Sequence, residues 1–222
     1  MNKIITFNNF NIEILFEDEN VIALNKPEGL ASIHDKNGKE KDLQTLLSEK
    51  LNKKIFILHR LDKEVSGVVL YAKNLDAHKF INKQFENRLV KKSYLALVHG
   101  KMQKNSGVID RPIREFGSGR MGIDEHGKES KTFYKILEKF SDYTLVELNP
   151  TTGRRHQLRV HLYSIGFPIV GDLKYGDKEI QKKFPRLMLH AKNISLNINS
   201  TKKIYLEAEI PETFSSFIKT LN

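Results

Sequence analysis

The sequence contains no cysteine, which excludes a disulfide scaffold, a thiol nucleophile and every cysteine-ligated metal site. No stretch reaches the roughly 18 consecutive apolar residues that a membrane helix needs. The opening segment from Met1 to Phe10 is polar and Asn-rich, without the apolar core of a secretion signal. Proline is scarce, at six residues, and thirteen glycines in 222 positions argue against a collagen-like or low-complexity chain. Internal repeats are absent as well. These absences predict a cytoplasmic globular protein with no membrane partner.

What is present is positive charge. Lys and Arg number 37 against 27 Asp and Glu, a net charge of +10 with a pI near 9.5. An excess of that size points to a polyanionic partner, nucleic acid first. A chain rich in Lys, Asn and Ile for reasons of genome composition carries the same excess, so charge alone leaves both readings open. At 39% hydrophobic residues the chain can still bury a core, as one large domain or two small ones.

Apolar patterning predicts many strands and few helices. Ile12–Phe16 and Val21–Asn25 flank Glu17–Asn20 as a hairpin, broken by Lys26-Pro27-Glu28-Gly29. Leu43, Leu46, Leu47 and Leu51 share a helical face after a capping Asp42. Strands follow at Ile55–Leu58 and Val68–Ala72. Asn74 then caps a helix whose inner face is Ala77, Phe80, Ile81 and Phe85. Ser93–His99 is strand-like, Asn105–Lys131 alternates turns with short strands, and Phe133–Leu137 pairs with Tyr143–Leu148. Gly153–Ile165 reads as a helix with Leu158, Leu162 and Ile165 inward; a late hairpin, Ile194–Ile198 with Ile204–Ile210, precedes a helix opened by Pro211, with Phe214, Phe217, Ile218 and Leu221 inward. Without regular βαβ alternation this is an α+β chain, a single domain over residues 1–222 on a mainly antiparallel mixed sheet with flanking helices. The stretch Gly100–Gly107 is too short to divide it.

Three polar clusters stand out. His59-Arg60-Leu61-Asp62-Lys63-Glu64-Val65-Ser66-Gly67 lies between two apolar strands, where a scaffold can present reactive groups. On spacing alone an ordinary turn closed by Asp62, with Gly67 at positive φ, is the better account. Thr151-Thr152-Gly153-Arg154-Arg155-His156-Gln157-Leu158-Arg159-Val160-His161 would, as a helix, set Arg154, Gln157 and His161 on one stripe and Arg155 and Arg159 beside it. Two arginine stripes suit phosphates; most charged helix faces are only solvated. His156 and His161 are five apart, so they do not share a face as zinc ligands four apart would, and no metal is expected there. Tyr94, in Ser93-Tyr94-Leu95-Ala96-Leu97-Val98, has a ring suited to stacking on a base or to packing.

Taken together and in order, these blocks resemble the signature of the RluA-type pseudouridine synthases. The resemblance runs from Asn25-Lys26-Pro27-Glu28-Gly29 through the Asp62 block and Tyr71-Ala72-Lys73-Asn74 to Lys92-Ser93-Tyr94-Leu95-Ala96-Leu97-Val98 and Gly127-Lys128-Glu129-Ser130-Lys131-Thr132. It continues through Thr152–His161, Pro168-Ile169-Val170-Gly171-Asp172, Tyr175-Gly176 and Arg186-Leu187-Met188-Leu189-His190-Ala191. Two positions depart. Val65 stands where the family usually has Thr, and Arg155 where it has Thr or Ser. The ribosomal-protein-like RNA-binding domain of many relatives is not expected, because fewer than thirty residues precede Lys26.

The resemblance implies an RNA-modifying isomerase. It breaks the N1–C1′ bond of a uridine, turns the base and joins C5 to C1′, with atoms conserved and no cofactor or metal required. By the same implication Asp62 is the essential carboxylate, Arg154 its charged partner and Tyr94 the stacking residue at the uracil. Arg60 fills the gap of the flipped nucleotide, and His59, Arg155, His156, Gln157 and Arg159 join it in binding RNA. Flipping costs a few kcal/mol, less in a loop than in a duplex. The expected substrate is therefore a loop uridine of tRNA or 23S rRNA, with uridine 32 of the tRNA anticodon stem-loop the leading choice, and the enzyme is expected to be a monomer. A catalytically silent RNA-binding relative is the competing reading, which intact Asp62, Tyr94 and Arg154 oppose. A glycoside or phosphodiester hydrolase would want paired carboxylates or a two-metal site, and Glu64 beside Asp62 is poor support for either.

Overall fold

The structure is a computed structural model and describes residues 3–7, 10–34 and 41–221. The chain forms two units, neither continuous in sequence: Met1–Lys91 with Ala191–Ile210, and Lys92–His190 with Pro211–Asn222.

The first unit opens with β1 (Lys3–Phe7), β2 (Phe10–Glu17) and β3 (Val21–Lys26), followed by helix α1 (Leu43–Leu51), β4 (Phe56–Ile57), β5 (Ser66–Ala72) and α2 (Leu75–Glu86). The expected hairpin is β2–β3, registered Ile14 to Leu24 with an irregularity before Phe16; β1, which the pattern did not suggest, pairs outside it. Both helices begin where the capping residues predict. Asp42 accepts from Thr45 N at 3.0 Å, and Asn74 from Ala77 N at 2.9 Å, satisfying donors that a first helical turn leaves open. The face of α2 differs from the expectation: Phe80 is 39% exposed and Gln84 is buried in its stead. Gln84 donates to Asn197 O and accepts from Asn197 N, at 2.8 and 3.0 Å. A paired amide thus takes a place that an apolar side chain was expected to fill.

The second unit carries β6 (Lys91–His99), β7 (Ser106–Asp110), β8 (Ile113–Glu115), β9 (Met121–Ile123), β10 (Lys131–Lys139) and β11 (Tyr143–Pro150). After them come α3 (Gln157–Ser164) and the short α4 (Lys178–Gln181). The strands β6, β11, β10 and β7 pair antiparallel in that order, with Tyr94 opposite Leu148 and Phe133 opposite Val108. A separate hairpin joins β8 to β9. The final helix α5 (Glu212–Lys219) packs only Phe214 fully, and Phe217 joins Phe184 and Tyr143 in edge-to-face contacts.

The last strands, β12 (Leu189–Asn197) and β13 (Lys203–Glu207), form the predicted late hairpin, registered Leu196 to Ile204. In the first unit the strand order is β1–β2–β3–β5–β12, with β13 beside β12 and β4 beside β5. Its core is Val21, Ala23, Val68 and Leu70 from the middle strands, Ala77 and Ile81 from α2, and Ile194 and Leu206 from the late hairpin. Where β5 begins, Gly67 has φ +115° and its missing Cβ faces the Ala191 backbone of β12. Only a glycine fits that approach. Gly67→Ala should therefore lower unfolding free energy in urea by about 3 kcal/mol, through strain and backbone displacement together.

Candidate active site

Asp62 lies on the loop between β4 and β5. Leu61 and Val65 are buried and pin that loop into the core, while Arg60, Lys63 and Glu64 are exposed and Asp62 is half-buried between the two anchors. Val65 N donates to Asp62 O at 3.1 Å, closing a tight turn. The departure at Val65 is explained by this burial: a small apolar side chain fills the place and anchors the turn by packing.

Two braces hold the turn from below. Ser32 Oγ donates to Leu61 O and accepts from Leu61 N, at 3.0 and 3.1 Å, so one hydroxyl fixes both polar groups of the residue before Asp62. Tyr71 Oη in turn donates to Ser32 O at 2.8 Å, and burial pushes its phenol pKa far up, which keeps it a donor. The second brace is Lys26, at the end of β3 and 0% exposed. Its Nζ donates to Pro27 O and Leu30 O at 2.7 Å and to Lys63 O at 3.3 Å. Gly29 N also donates to Lys63 O, at 2.8 Å. An ammonium with three donors thus joins the 26–30 loop to the Asp62 turn.

His59, expected to bind RNA, is engaged in packing. Its Nε2 accepts from Leu70 N at 3.1 Å, and its ring stacks on Phe85 at 5.5 Å between centroids. Arg60 alone of the expected RNA contacts on this loop projects to the surface.

In the second unit, α3 starts at Gln157, four residues later than the pattern suggests. His156 adopts the left-handed conformation, φ 53°, which no helix continues through. Arg154 and Arg155 therefore lie in a turn, and the expected stripe of Arg154, Gln157 and His161 does not form. Every residue from Gln157 to Leu162 is buried. Gln157 uses its whole amide: Oε1 accepts from Thr152 Oγ1 at 2.7 Å and Arg154 N at 3.0 Å, and Nε2 donates to Lys131 O and Thr132 Oγ1, both at 3.0 Å. His161 completes the network, with Nε2 3.0 Å from Arg111 O and Nδ1 2.9 Å from Thr132 Oγ1. Facing a carbonyl, Nε2 must carry the proton, so Nδ1 accepts from the threonine. Burial is the main cause of a lowered His161 pKa.

This network sets the Arg154 turn. Arg154 is half-buried and its Nε donates to Glu129 O at 3.1 Å. Arg155, the other departure, reaches out to Glu115 at 2.6 Å in an exposed pair. His156 Nδ1 is hydrogen-bonded to Tyr175 Oη at 2.7 Å. Arg159, expected to meet phosphate, is 4% exposed and grips Asp172 bidentately, Nε to Oδ2 at 2.9 Å and Nη2 to Oδ1 at 2.8 Å. Arg159 and Gln157 are thus interior residues, and the reason is the same in each: a buried polar group must be paired. Removing Arg159 would strand the Asp172 carboxylate, an effect on folding more than on salt-dependent RNA affinity.

Tyr94 is half-buried on β6, and Lys92 shares its face two residues earlier. A Cβ on Gly153 would stand 3.7 Å from Lys92 Nζ, so this ammonium borders the Arg154 turn. Burial pushes the Lys92 pKa down to about 8. Lys26 and Lys92 fall within the family-like blocks without an expected role; a lysine inside an apolar or strand-like run is the signal that marks both. Ser32 had no signal at all.

These two braced turns sit on a fold shared with pseudouridylate synthase domains. Human RNA Pseudouridylate Synthase Domain Containing 4 matches with TM-score 0.77 at 29% identity, over 94% of this chain and 92% of that one. The family described as RNA pseudouridylate synthase matches residues 20–164. Ribosomal large subunit pseudouridine synthase D of Nitrosomonas europaea is 37% identical, over 95% of this chain and 65% of its own length. Ribosomal large subunit pseudouridine synthase C of Rickettsia felis is 40% identical, over 91% of this chain and 68% of its own. The chain belongs to the RNA pseudouridine synthase family, in its RluA-type branch. It spans about two-thirds of the length of these two curated relatives.

Two outcomes follow from the geometry. Lys26→Met keeps the stem and deletes the ammonium, leaving three carbonyls short of a donor; unfolding free energy in urea should fall by about 2–4 kcal/mol. For His161, a folded-state pKa below the ordinary 6.5 means the unfolded chain binds the proton more readily. Its contribution to stability is complete above pH 6.5 and is lost as pH falls from there toward the lowered value, with a slope of at most about 1.4 kcal/mol per pH unit. Urea titrations of wild type and His161→Gln between pH 7.5 and 5.5 should show this extra slope in wild type alone.

Proposed function

We propose that this chain isomerises uridine to pseudouridine in RNA, with Asp62 as the essential carboxylate. The observation that carries the reading is the Asp62 turn. Its neighbours Leu61 and Lys63 are tied by Ser32 and Lys26, a fixation that an ordinary surface turn does not need. Family membership and the intact Asp62, Tyr94 and Arg154 support the same reaction.

In the proposed reaction the RNA presents an extruded uridine, Tyr94 stacks on the uracil, and the Arg154 guanidinium favours the ionised form of the Asp62 carboxylate. The N1–C1′ bond breaks, the uracil turns, C5 bonds to C1′, and the C5 proton leaves while N1 gains one. Arg60, exposed on the Asp62 loop, occupies the space that the extruded nucleotide vacates. Arg155 and His156 lie on the Arg154 turn and contact the backbone.

For the substrate, large-subunit ribosomal RNA takes precedence over the tRNA anticodon stem-loop, because the curated relatives' names point to the large ribosomal subunit. The net charge of +10 suits either RNA. Incubating the purified protein with a large-subunit rRNA transcript and with tRNA, then mapping pseudouridine, distinguishes them. Product in rRNA is expected; product in tRNA alone would reverse the preference. Asp62→Asn keeps the shape of the side chain and removes its charge and nucleophilicity. Its turnover should fall below about one per cent of wild type, a barrier increase of at least roughly 2.7 kcal/mol, with RNA affinity unchanged. Residual activity above that level would exclude Asp62 from the essential role.

A further inference from the structure

A cleft of about 440 Å³ opens on the second unit between the β8–β9 hairpin and α3, within the size range of small-ligand sites. Two of its walls are aromatic rings left open to solvent, Phe116 at 43% and Tyr163 at 48% exposure. The floor includes the buried ring of Tyr175, with the Arg120 guanidinium 5.2 Å from its centroid. Among the described residues, Arg120 is the only charged one lining the cleft. The nearby carboxylates of Glu115 and Asp124 are taken up by Arg155 and Arg114.

The hairpin holds these groups rigidly. Phe116 N donates to Arg120 O at 2.9 Å and Gly119 N to Phe116 O at 2.8 Å, with Gly119 at φ +73°. Gly122 lets the Phe116 ring close onto β9, since a Cβ there would lie 2.7 Å from the ring. Solvent-exposed rings fixed beside a guanidinium that has no ion pair among the described residues match a planar, anionic ligand: the rings stack on a π-face and the cation meets phosphate. A protein partner would be matched by the rings but not by the lone cation.

We propose that this cleft receives an unpaired nucleotide of the RNA substrate, other than the uridine that is isomerised. Its base lies against Phe116 and Tyr163, and its phosphate pairs with Arg120. The inference rests on the RNA-modifying reading above, and is tested by binding alone so that the two can fail separately.

The probe is a 5′-labelled octauridylate, because stacking on aromatic side chains tolerates any base. Full-length wild type should bind it, and ultraviolet cross-linking should join it to Phe116 or Tyr163. Phe116→Ala should weaken binding about tenfold, and Phe116→Tyr should restore it. Arg120→Gln should weaken binding and reduce the salt slope by about one. Thermal unfolding should be unchanged in Phe116→Tyr and Arg120→Gln and only slightly lowered in Phe116→Ala, whose lost ring packs against Gly122.

Four results would overturn the proposal: no wild-type binding up to about 1 mM, an effect of Phe116→Ala below threefold, equal losses in Phe116→Ala and Phe116→Tyr, or cross-links confined to other peptides. Loss with Arg120→Gln but not with Phe116→Ala would reduce the cleft to a simple phosphate contact and equally defeat it. A wild type that makes no pseudouridine in any RNA, yet shows the Phe116 effect, would count against the reaction and leave the cleft standing.

Discussion

A lysine with no access to water organises the first unit. Burying an ammonium is expensive unless every donor is matched, and Lys26 meets that condition with three main-chain carbonyls. The arrangement works in both directions. The ammonium receives the inward-pointing carbonyls of Pro27 and Leu30 and shares that of Lys63 with Gly29 N, and these carbonyls make its burial tolerable. Two loops distant in sequence are thereby joined at one point. Ser32 and Tyr71 extend the same device to Leu61, so the main chain on both sides of Asp62 is fixed by groups that carry no reactivity themselves.

The second unit reaches a comparable result with neutral groups. Thr152, Gln157, Thr132 and His161 form one chain of hydrogen bonds, and the backbone N–H of Arg154 belongs to it. Such networks rigidify a site only when each member is satisfied, as the Gln157 amide is. The buried Arg159–Asp172 pair adds a second clamp, since Asp172 also accepts from the backbone of Lys174 and Tyr175. Tyr175 then reaches His156. The basic segment that looks like a binding face in the sequence is thus half framework and half surface.

Much of the fold was legible because strand alternation and helix caps are local signals. Asp42, Asn74 and the β2–β3 hairpin need only their near neighbours to be recognised. The order of motif blocks made the family legible too. What failed depended on partners far along the chain. Phe80 looked like core because nothing nearby reveals that Gln84 pairs with Asn197. The start of α3 differs from the pattern because His156 turns left-handed, and a histidine's modest tolerance of positive φ is too weak a signal to place a helix end. Arg159 looked exposed because arginine usually is; the Asp172 that buries it comes thirteen residues later. Polar residues in the interior are identified by who satisfies them, and periodicity carries no record of that.

On the proposed reading, the braces around Asp62 act on the chemical step and not on RNA capture. Ser32→Ala tests it most directly, because among the described residues the hydroxyl hydrogen-bonds Leu61 alone and the Tyr71 bond to the Ser32 carbonyl is kept. Single-turnover release of tritium from RNA carrying 5-tritiated uridine reads the loss of the C5 proton, and a parallel titration reads RNA affinity. The expected result is a rate lowered by about tenfold or more, a barrier change of roughly 1.4 kcal/mol, with the dissociation constant unchanged. An unaltered rate, or a loss confined to affinity, would contradict the account.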